Sequence, residues 1–116
     1  MPARSDLDVW KGNTFARTFR LTTDDTTPLD LTGSVFVFRV VDSGAEIIRY
    51  ESGTDDELAV PTPANGEVNL LMPVAGTRTL PEGSVARYEL ERRIGLEQTT
   101  LLYGLLVVTG WANDDA

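Results

Sequence analysis

Glu89 and Glu91 are the two carboxylates best spaced for acid–base chemistry in this sequence. Two residues apart on an extended chain, they share a face with α-carbons about 6 to 7 Å apart, a separation at which a carboxylate pair can hydrolyse a glycosidic bond. Arg87, Arg92 and Arg93 lie close by. Carboxylates interleaved with guanidinium groups describe the solvated face of a strand better than a catalytic dyad. The sequence has no histidine and no cysteine. It therefore lacks the general base that titrates near neutral pH, the thiol nucleophile, and the commonest nitrogen and sulfur metal ligands. Lys11 is the only lysine, and its setting, Trp10-Lys11-Gly12-Asn13, carries no nucleophile motif for a Ser-Lys dyad. Asp24-Asp25 and Asp55-Asp56-Glu57 are rich in oxygen ligands but lack the spacing of a calcium loop, and read as solvated loops. No phosphate-cradling glycine loop and no nucleophile elbow is present. The expectation is a protein that is not an enzyme, with no catalytic residue, no cofactor and no metal.

Residue types that favour contact with another protein are easier to find. Trp10 and Trp111 lie near the two ends of the chain, each able to plug the end of a core or to anchor a partner. Arg4, Lys11, Arg17 and Arg20 face only Asp6 and Asp8 in the first twenty residues, a net +2. The total of −8 leaves −10 on the remainder, so a basic N-terminal region precedes an acidic body. The candidate partner-binding set is Arg4, Trp10, Lys11, Arg17, Arg20 and Trp111. Nucleic acid is not an expected partner, because the acidic body repels phosphate and the basic residues form no stripe with interleaved aromatics.

These side chains must be positioned by strands. Phe15, Phe19 and Leu21 fall on one face of 14–22, interrupted by Arg17. The segment 34–42, with Val35-Phe36-Val37-Phe38, is β-branched and aromatic on both faces, as a central strand requires. The turn Asp42-Ser43-Gly44 predicts an antiparallel hairpin with 45–52, Ile47 or Ile48 facing inward. A short extended stretch at 58–60 and an alternating one through Val68, Leu70 and Met72 follow. Prolines and glycines break 73–83, where 74–80 is expected to make one helical turn. In 84–93, Ala86, Tyr88 and Leu90 oppose Arg87, Glu89 and Glu91. The apolar segment 99–110 carries Gly104, which predicts a bulge or a close backbone approach. Short strands with turn signals every 8 to 12 residues favour an antiparallel β-sandwich of about seven strands, with a small barrel as the alternative.

At 116 residues, the chain fits one domain that buries roughly 65% of its unfolded surface. The expected division is an arm over 1–6, a sandwich over 7–112 and a tail over 113–116. With 41% hydrophobic and 24% charged residues, the composition is that of a folded globular protein rather than a disordered one. No apolar run approaches the ~20 residues of a bilayer span, and residues 1–8 lack the apolar core of a signal peptide, so no membrane is expected as a partner.

Three pieces in order, Trp10-Lys11-Gly12-Asn13-Thr14-Phe15, then Pro28-Leu29-Asp30-Leu31-Thr32-Gly33 and Asn65-Gly66-Glu67-Val68, are joined by two more: Tyr88-Glu89-Leu90-Glu91 and Leu101-Leu102-Tyr103-Gly104-Leu105-Leu106-Val107. Together they resemble small immunoglobulin-like proteins of tailed bacteriophages, including the N-terminal domain of baseplate upper proteins. The resemblance runs from about Asp8 to Thr109. It implies an immunoglobulin-like sandwich and a structural place in the virion, and it names no active site. An acidic domain with a basic start suits a capsid decoration, or cement, protein docked on the major capsid protein, with trimers a natural outcome of lattice symmetry. Two alternatives stay open: a tail or baseplate structural protein of the same virion, and a carbohydrate-binding sandwich, which needs exposed aromatic rings along one face.

Overall fold

Wherever apolar and polar side chains alternate between turn residues, the chain is extended. The computed structural model describes residues 3–23, 27–80 and 85–109. Its strands are β1 (Ala3–Arg4), β2 (Leu7–Trp10), β3 (Phe15–Arg20), β4 (Val35–Asp42), β5 (Ala45–Glu51), β6 (Leu58–Ala59), β7 (Glu67–Met72), β8 (Val85–Ile94) and β9 (Glu97–Thr109). A 3-10 turn covers Pro63–Asn65, and the one-turn helix α1 covers Val74–Thr77, where a short helical turn is expected from the sequence.

The larger sheet has the order β1-β9-β8-β4-β5, with β2 also on β9, and the smaller has the order β3-β7-β6. Strands β3, β7 and β6 match B, E and D of a variable-type immunoglobulin sandwich, and β9, β8, β4 and β5 match G, F, C and C′. The fold is an immunoglobulin-like β-sandwich. Its β4–β5 hairpin closes through Ser43 (φ 53°) and Gly44 (φ 82°). Two successive positive φ values make the type I′ turn that matches strand twist.

One face of each sheet builds the core. Phe36, Phe38 and Val40 of β4, Ala86, Tyr88 and Leu90 of β8, and Leu106 and Val108 of β9 meet Phe19, Val68, Leu70 and Met72 from the smaller sheet, all buried. Ile48 is the buried member of the Ile47–Ile48 pair. Asp30 accepts the backbone N–H of Thr32 at 3.0 Å and its hydroxyl at 2.7 Å, the local turn that leads the chain toward β4.

One feature differs from the sequence-based expectation. The arm expected over 1–6 is, from Ala3 on, part of the larger sheet. Ala3 and Arg4 pair in parallel with Leu102 and Tyr103, and Leu7 to Trp10 pair with Leu106 to Thr109. Of the two readings of Gly104, the close backbone approach is the one the structure shows. A Cβ there would collide with the Ser5 carbonyl, where the chain passes from β1 to β2. The register shift between β8 and β9 lies instead at Leu90/Glu91.

Candidate interaction surfaces

Leu7 and Val9 are fully buried, so alternation turns Asp8 and Trp10 to the outer face of the larger sheet. Trp10 is 58% exposed at the end of β2. The turn that follows it is firmly held. The N–H of Lys11 bonds the Thr109 carbonyl at 2.7 Å, and that of Asn13 bonds the Trp10 carbonyl at 3.1 Å. Thr77 of α1, with no exposed surface, accepts the N–H of Gly12 at 3.1 Å and donates to the Asn13 carbonyl at 2.9 Å. Prolines and glycines keep α1 to one turn, yet that turn supplies the hydroxyl on which the 10–13 turn rests. Of the two roles open to Trp10, the exposed ring excludes plugging the core.

The basic residues of the candidate set do not form one patch. Arg4 stands on the outer face of the larger sheet, beside Tyr103 in register, and pairs with Asp6 at 3.2 Å. Asp6 also accepts the Leu105 N–H at 3.0 Å. That backbone bond, with Arg4 next in importance, holds its carboxyl below the usual 3.8. Arg20 projects from the outer face of the smaller sheet, where it meets Glu67 at 3.0 Å. Arg17 lies between Phe15 and Phe19 on the inward-facing row of β3, the edge strand of the smaller sheet, and is exposed. An inward-pointing charge on an edge strand discourages pairing with another chain, which accounts for its interruption of the apolar row. Lys11 is half-buried directly after Trp10. Trp111 lies outside the described residues, as do Asp24 and Asp25.

Glu89 and Glu91 are on the outer face of β8, as their alternation requires. Glu91 is held by Arg93 at 2.6 Å, while Asp55 accepts the Glu51 N–H at 2.8 Å and so serves its own turn. Strand register also creates something that no single segment contains. Arg4, Tyr103, Glu89, Arg39 and Arg49 stand side by side across five strands, β1, β9, β8, β4 and β5. A cleft of about 500 Å³ opens along this row, lined by Arg4, Arg87, Glu89, Thr100, Tyr103 and Leu105. A smaller hollow of about 220 Å³ adjoins it over Arg39 and Val41. Tyr103, 41% exposed, is the residue sequence reasoning missed. The signal was its parity within 99–110, opposite to that of Leu106 and Val108.

No protein-family model matches the chain, and no curated protein matches it. Among solved structures, the chain is similar to extracellular domains 3–5 of Drosophila OTK, at 18% identity and a TM-score of 0.38. The match covers 91% of this chain and 32% of that one, about a third of its length.

Proposed function

We propose that this chain is a non-enzymatic structural protein of a tailed-bacteriophage virion, a capsid decoration protein that docks on the major capsid protein through the Trp10 turn. The observation that carries this reading is the exposed indole on a turn pinned by the buried Thr77. An aromatic ring presented by a rigid backbone loses little entropy on binding, and tryptophan is enriched among residues that dominate interface energies. Lys11 directly follows Trp10 in this turn, whereas Arg20, on the outer face of the smaller sheet, is not part of this surface. The formal charge of −8 keeps copies apart in solution and leaves recognition to the docked turn.

Gold labelling of purified virions with antibody against this chain tests the proposal. Label distributed over the capsid is expected. Label restricted to the tail tip moves the protein to the tail or baseplate, and unlabelled particles overturn the virion reading.

A further inference from the structure

Most ionised groups on the outer face of the larger sheet have a partner. Arg39 is taken by Glu46 at 2.9 Å, Arg49 by Glu51 at 3.5 Å, Glu91 by Arg93 at 2.6 Å and Arg4 by Asp6 at 3.2 Å. Arg87 and Glu89 differ: among the described residues, neither side chain has a hydrogen bond or an ion pair. The cross-strand neighbours of Arg87 are Val41 and Leu105, which carry no charge. Those of Glu89 are Arg39, already paired, and Tyr103.

An open donor fork and an open acceptor therefore rise from α-carbons about 6 to 7 Å apart on one strand face. The half-exposed ring of Tyr103 lies directly across from the acceptor, and the Thr100 hydroxyl joins them in the same cleft. Its volume, about 500 Å³, is within the range of small-molecule sites.

Charge selects the class of occupant. With Arg4 and Arg39 neutralised by Asp6 and Glu46, a free anion would meet Arg87 but also Glu89, and a free cation would meet Glu89 but also Arg87. A neutral molecule with adjacent hydroxyl groups satisfies both, since one hydroxyl oxygen accepts from the guanidinium while its neighbour donates to the carboxylate. If that molecule also has a flat C–H face, the face can cover the Tyr103 ring, whose π surface is negative and attracts polarised C–H groups. A six-membered sugar ring combines these properties.

We propose that the Arg87–Glu89–Tyr103 cleft binds a neutral pyranose, its ring seated on Tyr103 and adjacent hydroxyls shared between Arg87 and Glu89. The site is separate from the Trp10 turn. Tyr103 and Thr109, the residue paired with Trp10, are six positions apart on β9, or about 20 Å along the strand. A chain docked through Trp10 can present this cleft to a second surface, such as a polysaccharide coat.

The test is an amide-resolved NMR titration of the full chain. Neutral oligosaccharides of glucose, galactose, mannose and N-acetylglucosamine are run beside oligogalacturonate and an aspartate-rich peptide. At least one neutral sugar should shift amides confined to 87–89 and 100–105. Tyr103→Ala, Arg87→Met and Glu89→Gln should retain the wild-type urea midpoint, with Tyr103→Ala weakening binding about tenfold or more, and Trp10→Ala should bind the sugar like wild type. The proposal is overturned if no neutral sugar shifts these amides, if only the charged probes do, or if Tyr103→Ala binds the sugar unchanged.

Discussion

The rings of Phe19 and Tyr88 stack across the sandwich with centroids 6.4 Å apart and planes inclined by 23°. They belong to β3 and β8, the two strands that the inter-sheet disulfide joins in antibody domains. Phe38 of β4, 5.6 Å from Tyr88, takes the place of the tryptophan that packs against that disulfide. In a chain without cysteine, this aromatic triad connects the sheets. Tyr88 also donates its hydroxyl to the Ser5 carbonyl, so one side chain joins the inter-sheet contact to the N-terminal strands.

Removing a ring from this triad should be costly. Phe19→Ala is expected to destabilise the fold by about 3–5 kcal/mol, the range for truncating a buried aromatic. Tyr88→Phe, which keeps the ring and loses the bond to Ser5, should cost about 1–2 kcal/mol. Urea denaturation of the two variants measures both effects, and the order between them is the discriminating result.

Gly104→Ala should act on the N-terminal strands before it acts on the core. The new methyl group would meet the Ser5 carbonyl and the Asp6 carboxylate, pushing β1 from β9 while β8 and β4 keep their pairing. Hydrogen exchange should show early loss of protection at the Ser5 amide, which bonds the Tyr103 carbonyl at 2.9 Å in the wild type. Amides of β4 should stay protected.

Stability should fall at both extremes of pH, for different groups. Asp6, bonded by Leu105 and Arg4, and Asp30, bonded by Thr32, are held below 3.8 in the folded protein. Their contribution is present above the unfolded value and is lost as pH falls through it toward the folded one. Burial raises Tyr50 and Tyr88 above 10.0, so their contribution is complete below that value and lost as pH rises beyond it. Urea midpoints across a pH series check this. Asp6→Asn should flatten the acid limb, and Tyr88→Phe the alkaline limb.

What was legible in the sequence follows the range of the interaction. Alternation in 84–93 placed Ala86, Tyr88 and Leu90 inside and Arg87, Glu89 and Glu91 outside, because a strand's faces depend on parity alone. Asp42-Ser43-Gly44 marked its hairpin because turn geometry is local. The parallel pairing of β1 and β2 with β9 joins residues about a hundred positions apart. No local pattern encodes it, although Leu7-Asp8-Val9-Trp10 does alternate. The charge count of the first twenty residues failed as a guide to a surface for the same reason: Arg4 and Arg20 are near in sequence but stand on the outer faces of different sheets. The row from Arg4 to Arg49 exists only once five strands are in register.

The measurement closest to the central claim is co-sedimentation of the chain with virions from which it has been removed, comparing wild type with Trp10→Ala. Because the indole is largely exposed and lies outside the core cluster, the variant should keep the wild-type stability in urea within about 0.5 kcal/mol. The account predicts that wild type pellets with the particles and Trp10→Ala remains in the supernatant. Equal pelleting of the two folded proteins contradicts it.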